Sequence, residues 1–353
     1  MYKILITGGA GFIGSHTCLT LLENNYEVVV IDSFENATIT AIKRVIEIAK
    51  TKIPEAEKNL KIYNGDIRDS GILENIFNDA LQSKNPIISV IHFAGLKAVS
   101  ESTLRPLDYW DVNVSGTLKL LKVMEEHKCT QIVFSSSASI YGSSSINLID
   151  ETSEIKPVNP YANTKATIER ILKDLYLSNS TKWKIANLRY FNPIGAHCSG
   201  LIGEDPRGKA NNIFPYITQV AIGRKEKLSI FGSDWPTKDG TGVRDYIHVM
   251  DLAEGHLAAM KYLNENKPEV IDLNLGTGIG TSVLNLIDTF EVANKCKIPY
   301  IFTGRRPGDV ASLVASNSLA LNKLKWEPKR SLLEMCKDGF YWQKLNPNGY
   351  LKD

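Results

Sequence analysis

The sequence predicts an α/β protein, a doubly wound parallel sheet followed by a smaller mixed lobe. Three observations carry the prediction. Short β-rich apolar runs alternate with helical spacings through the first half, and a glycine-rich turn joins the first run to the first helix. After about Asn192 the alternation breaks up among Gly195, Gly200, Gly203, Pro206 and Pro215. Uninterrupted apolar runs between helices are the mark of strands buried on both faces, the condition of a parallel sheet covered by helices.

Residues 3–7 (Lys-Ile-Leu-Ile-Thr) read as the first strand, and Phe12, Cys18, Leu19, Leu21 and Leu22 give a helix over 12–24. Strands follow at 27–31, 60–63, 89–93, 131–135 and 185–190, with helices near 40–49, 71–81, 109–127 and 161–177 between them. Beyond 192, short strands at 228–231, 271–274 and 300–303 mix with helices at 251–263, 282–294 and 331–344. The division expected is a first domain over residues 1–192 and a second lobe over 193–353, with some later segments returning to the first. No flexible linker separates them, so the two pinch a cleft.

Hydrophobic residues at 43% and charged residues at 23% of 353 exclude a disordered or fibrous chain. A net charge of +2 lacks the basic footprint of nucleic-acid binding. Five scattered cysteines, with no CxxC and no histidine at ligand spacing, argue against a disulfide framework or a metal site. No apolar run reaches a membrane span of about 18 residues, and Met1 leads directly into a strand pattern without a basic leader. The expectation is a cytoplasmic protein with no metal, membrane or nucleic-acid partner.

Thr7-Gly8-Gly9-Ala10-Gly11-Phe12-Ile13-Gly14 lies where the first strand meets the first helix. Gly8 permits the tight turn, Gly11 lets backbone approach a pyrophosphate, and Gly14 lets helix pack on strand. Phe12 and Ile13 open a helix whose free N–H groups favour an anion. Asp32 closes the second strand, where a carboxylate accepts hydrogen bonds from a ribose diol and repels a 2′-phosphate, which selects NAD over NADP. Asn36 follows in the same loop, and Asp66-Ile67 after the third strand is placed for an adenine edge or a simple turn.

Tyr161 and Lys165 are four apart at the start of a helix, so both point to one face. Upstream, a strand ends in Ser135-Ser136-Ser137. A free phenol has a pKa of about 10, and lowering it by three units takes roughly 4 kcal/mol of phenolate stabilisation. An ammonium one turn away and a cationic nicotinamide together supply that, and Ser137 holds or relays the same proton.

The glycine turn, His92-Phe93-Ala94-Gly95-Leu96-Lys97-Ala98-Val99, the serine-rich strand end with Tyr141-Gly142, the Tyr161/Lys165 pair and Arg189-Tyr190-Phe191-Asn192-Pro193 together resemble the extended short-chain dehydrogenase/reductases. More narrowly they resemble the UDP-glucose 4-epimerase family over nearly the whole chain. Gly203-Glu204-Asp205-Pro206, Asn211-Asn212 before Pro215, and 239–249 (Asp-Gly-Thr-Gly-Val-Arg-Asp-Tyr-Ile-His-Val) are the most specific stretches. The resemblance implies an NAD-binding Rossmann domain and a UDP-sugar-binding lobe. It also implies an isomerase that interconverts UDP-galactose and UDP-glucose through a 4-keto sugar, with Ser137, Tyr161 and Lys165 catalytic.

By the same resemblance Phe93, Ala94, Gly95, Lys97, Asn113 and Tyr190 join the cofactor contacts. Lys97, Ser137, Tyr161, Asn192, Asn212, Ile213, Phe231, Arg244, Arg306, Asp309 and Leu313 contact the substrate, with the two guanidiniums on the diphosphate. Leu313, in 308–313, stands where the family often has a Tyr or a smaller residue, so N-acetylated sugars stay open. A homodimer through helices 109–127 and 161–177 is expected. The rivals are a nucleotide-sugar 4,6-dehydratase, disfavoured because Ala138-Ser139 replaces the usual Asp-Glu pair, a UDP-N-acetylhexosamine or UDP-uronate 4-epimerase, and a non-catalytic NAD-binding regulator. His16, His92, His197 and His248 are expected to be structural.

Overall fold

In the computed structural model, residues 1–142, 148–207, 210, 212–306 and 309–350 are described; Asn211 and Gly308 lie outside them. The chain begins as the alternation requires: β1 (Lys3–Thr7), α1 (Phe12–Glu23), β2 (Glu27–Asp32), α2 (Ile39–Lys50), β3 (Leu60–Asn64), α3 (Ser70–Gln82) and β4 (Ile87–His92). Two short helices, α4 (Val99–Leu104) and α5 (Pro106–Tyr109), lead through a π turn at Trp110–Ser115 into α6 (Gly116–Glu126). Then come β5 (Gln131–Ser137), α7 (Pro160–Ser178) and β6 (Lys184–Tyr190).

Strand alternation assigns side chains to the two faces. Ile4, Ile6, Val28, Val30, Ile91 and Val133 pack with α1 and α2. Leu5, Val29, Ile31, Val90, Ile132 and Phe134 pack with Phe77 of α3, Leu120 of α6 and Leu172 of α7. Each fully buried side chain of this kind contributes about 1.5–3 kcal/mol, so the doubly covered sheet dominates stability.

The second lobe contains β7 (Asn192–Ile194), α8 (Ile213–Ala221), β8 (Leu228–Phe231) and β9 (Val243–His248). After α9 (Val249–Glu265) and β10 (Val270–Leu275) follow β11 (Gly280–Ser282), α10 (Val283–Asn294), β12 (Tyr300–Thr303), β13 (Ser312–Leu313), α11 (Ser318–Leu324) and α12 (Leu332–Leu345). β9 pairs with β7, β11 and β13, while β8 and β12 form a parallel pair over a core of Phe214, Ile230, Phe290 and Met335.

Two expectations change. The strand foreseen at 271–274 in the second lobe lies in the large sheet, whose order is β10-β6-β5-β4-β1-β2-β3, all parallel. Its Ile271, Leu273 and Leu275 join the same core as α9 and α1, so the chain returns to the first domain over 249–275. The helix foreseen over 109–127 runs from Pro106 to Glu126 with a π turn inside it, where buried Asn113 bonds across to Leu96 and Thr164. Strand order reverses beside β1, which opens a crevice at the carboxyl ends of β1 and β4.

Candidate active site

At the end of β1, Gly8 has φ +69° and lies so close to Ala94 that a Cβ would come within 2.8 Å of its backbone nitrogen. At Gly14 a Cβ would meet the Gly8 carbonyl oxygen at 2.3 Å, so any side chain parts helix from strand. Gly11 differs: the nearest atom to its Cβ position is that carbonyl at 3.4 Å, which leaves the turn open above it. Gly11 also caps α1 without a side-chain bond, so the N–H groups of Phe12, Ile13 and Gly14 keep their capacity for an anion.

Asp32 braces this turn. Its two oxygens accept from Ala10 N and Phe34 N, both at 2.9 Å, and burial raises its pKa against those bonds. Each oxygen retains a second lone pair, the acceptor capacity a ribose diol needs. A pyrophosphate cradle and a diol acceptor thus stand together, and the chain fits a dinucleotide. Asn36 is exposed in the following loop. Asp66 is tied to Arg68 at 2.6 Å, and Ile67 is a core residue.

Phe93 and Tyr190 lie on either side of His256, with ring centroids 4.7 and 5.6 Å from it. Ala94 N bonds to the Thr7 carbonyl, and Gly95 abuts the Asn113 amide. Asn113 itself makes three bonds, all to protein. Lys97 is exposed at the cleft, 3.5 Å from Glu204.

Ser137, Tyr161 and Lys165 converge at the end of β5. Asn159 caps α7 by accepting from Ala162 N, and Pro160 at the first turn fixes the entry, which places Tyr161 beside the Ser137 strand end. Ser137 Oγ accepts from Ser139 N at 3.2 Å and from Ser139 Oγ at 2.9 Å. With its lone pairs taken, its own proton is free for the phenol. Burial raises the pKa of Tyr161, and the Ser137 hydrogen bond works against that rise.

Lys165 donates to the Ser135 carbonyl at 2.6 Å and sits 5.9 Å from the Tyr161 ring centre. Burial pulls its pKa down to about 7, with Glu169 opposing. Glu169, one turn further on, is gripped by Arg189 at 2.6 and 3.0 Å and by Ser136 at 2.5 Å. Sequence reading missed Ser139 and Glu169; the signal for Glu169 was its place four residues after Lys165. Arg189→Met takes from this buried carboxylate the guanidinium hydrogen-bonded to it, and urea denaturation is expected to show a loss of about 3–5 kcal/mol.

The second lobe gathers the other residues. Arg244 and Leu313 sit around β9 and β13 in register, and Asn192 faces Tyr246 on β9's other side. Arg244 spends Nη1 on the carbonyls of Val243 and Val310, and its nearest acid, Asp309, is 3.9 Å away. Burial therefore lowers its pKa, and a desolvated guanidinium so weakly paired calls for an anion. Arg306 lies 3.3 Å from Asp309 and 4.4 Å over the Phe231 ring. Asn212 caps α8, with Ile213 behind it in the lobe's core.

The four histidines are each held by protein groups. His16 bonds to Phe12 O and His197 N, His92 to Thr7 and Thr117, His197 to Ser199, and His248 to Asp338 and Met250 N.

With Ser137, Tyr161 and Lys165 gathered at the end of β5 and the glycine turn two strands away at the end of β1, the protein is of the short-chain dehydrogenase/reductase class. Residues 5–339 match the family model described as GDP-mannose 4,6 dehydratase. The chain is 49% identical over 348 residues to the UDP-glucose 4-epimerase of Bacillus subtilis, covering 98% of both. It also superposes on the UDP-glucose 4-epimerase of Stenotrophomonas maltophila with bound NAD and formylated UDP-arabinopyranose (TM-score 0.92, 42% identity, 98% and 99% of the two chains). The Bifidobacterium longum enzyme in complex with NAD+ and UDP gives 0.90 at 44% identity, covering 99% and 100%. The chain belongs to the UDP-glucose 4-epimerase family.

Proposed function

We propose that the protein is a cytoplasmic, NAD-dependent isomerase that inverts C4 of a UDP-hexose, interconverting UDP-galactose and UDP-glucose. The observation that carries this is the triad: Ser137, its oxygen occupied by Ser139, offers a proton toward Tyr161, with Lys165 on the same helix face. The chemistry an NAD supplies in this cleft is reversible hydride exchange at a secondary alcohol. Tyr161 as phenolate takes the C4 hydroxyl proton and later returns it to the same oxygen, once the turned sugar has its other face toward the hydride donor. Ser137 hydrogen-bonds the reacting oxygen, and the Lys165 ammonium stabilises the phenolate. Tyr161 and Lys165 also bind the nicotinamide ribose side of the cleft.

The 4-keto sugar has to turn between the two transfers, so its pocket cannot grip either epimer, and the nucleotide must supply the affinity. Arg244 and Arg306 answer the diphosphate, Asp309 the uridine ribose, and Phe231 the base. Asn192, Asn212 and Lys97 point to the sugar and phosphates, and Leu313 closes an apolar wall with Ala138 and Phe191. That wall favours a neutral hexose over a uronate. Dehydration needs an acid and base where Ala138 is buried and Ser139 is committed to Ser137.

Incubation of the purified protein with UDP-galactose and no added NAD is expected to yield UDP-glucose. A 4-keto-6-deoxy product identifies a dehydratase, and bound NAD without turnover a regulator. Running UDP-N-acetylgalactosamine in parallel reads the tolerance set at Leu313.

Among the described residues no helix is long and apolar enough to cross a membrane. Leu104, Leu107, Trp110 and Leu118 are nonetheless exposed on α4 to α6, Leu107 at 80%. A second copy of the chain is the proposed cover for this face. Leu107→Asp is expected to convert a dimer to a monomer by light scattering, and an unchanged mass removes this face from assembly.

A further inference from the structure

The segment before α8 carries a carboxylate that none of the chemistry above uses. Glu204 has a side chain that is 9% exposed, and its Oε2 is buried without any hydrogen-bond partner. Its other oxygen meets the Lys97 ammonium and the Asn212 amide, each at 3.5 Å. The main chain around it is pinned: Gly203 N bonds to the Tyr350 hydroxyl and the Trp342 indole N–H donates to the Glu204 carbonyl. The carboxylate is therefore a fixed point of the second lobe, whereas Lys97 reaches it from the first on a side chain that is 61% exposed.

Charge decides what this contact can do. Among the described residues Lys97 is the one cation acting on Glu204; Arg44, Arg207 and Arg224 act on neighbouring Asp205. Among the described residues, α12 brings the neutral Trp342 indole to the Glu204 carbonyl, the C-terminal segment brings the neutral Tyr350 hydroxyl to Gly203 N, and Asn212 at the start of α8 brings its amide to the carboxylate. Burial already pushes its pKa up, with Lys97 opposing. A buried carboxylate stripped of its one counter-charge is expensive and takes a proton instead.

We propose that Glu204 is a positioning residue of the substrate cleft: it holds the Lys97 ammonium at the cleft until a nucleotide diphosphate claims it, and then takes up a proton in its place. The inference rests on the reading of Lys97 as a nucleotide contact. Ligand affinity thereby becomes linked to pH. Because the bound state carries the extra proton, affinity falls as pH rises.

The test is calorimetric titration of UDP into the NAD-loaded protein between pH 7 and 9, in buffers of low and high ionisation enthalpy. The wild type is expected to take up about one proton and to lose up to about tenfold in affinity per pH unit. Glu204→Gln, which keeps the shape, is expected to take up about one proton fewer and to show a flatter profile. Lys97→Met, which removes the counter-charge beforehand, is expected to lose the same uptake, and it serves alone if the glutamine variant does not fold. Wild-type proton uptake in either variant, with UDP still bound, overturns the role of Glu204 alone. A wild type that binds NAD but not UDP overturns the nucleotide reading, and this inference with it.

Discussion

Tyr161→Phe is expected to lower the turnover of UDP-galactose by at least about 10²–10⁴-fold while fold and bound NAD are retained. The substitution removes one oxygen from a ring that stays packed on α7, so the loss isolates proton transfer. Ser137 cannot take over, because its oxygen already accepts two bonds from Ser139 and its role is to donate. Nor can the nearby histidines: burial lowers the pKa of His92 to about 3 and that of His256 to about 4, and their rings are neutral and enclosed. Steady-state turnover with cofactor content measured on the same samples checks this, and near-normal turnover removes Tyr161 from the mechanism.

Lys165→Met is expected to act on activity and stability in opposite directions. Without the ammonium the phenolate loses its cation, so the pH at which activity appears moves upward and turnover at pH 7 falls by about 10²-fold or more. Stability follows from linkage. Lys165 has a folded pKa of about 7 against about 10.5 in an unfolded chain, so between these values the unfolded chain binds more protons. The native state therefore bears a penalty that is full below pH 7, on the order of 5 kcal/mol at most, and declines as pH rises toward 10.5. Methionine removes it, so the variant should melt higher than wild type, with the gap wider at pH 6 than at pH 9. An unmoved pH profile of activity would falsify the assigned role, and equal melting gaps at both pH values would show that the buried ammonium carries no such penalty.

The glycine turn, Asp32 and the Tyr161/Lys165 pair stand out in the sequence because each rests on local grammar: glycines at a strand-helix joint, a carboxylate at a strand end, two groups on one helix face. Residues whose meaning comes from distant partners were not legible. Glu204 acquires its role from Lys97, 107 positions earlier, and Glu169 from Arg189 across two elements. Asn113, expected at the cofactor, also joins the π turn to Leu96 and Thr164 in three bonds, a tie that its place in the sequence did not announce. β9 was hidden for another reason. Its Arg244, Asp245 and His248 interrupt any apolar alternation, yet Asp245 is buried and accepts from Thr277, Gly278 and Ala315 main-chain nitrogens.

Because α9 and β10 thread back into the first layer after part of the second lobe is made, the lobes are stitched by several chain crossings. A fragment ending at Asn192 would leave β6 as a naked border inviting intermolecular strand addition, so neither half should be separable as a working module. Any relative motion of the two halves is therefore shared among several connecting segments.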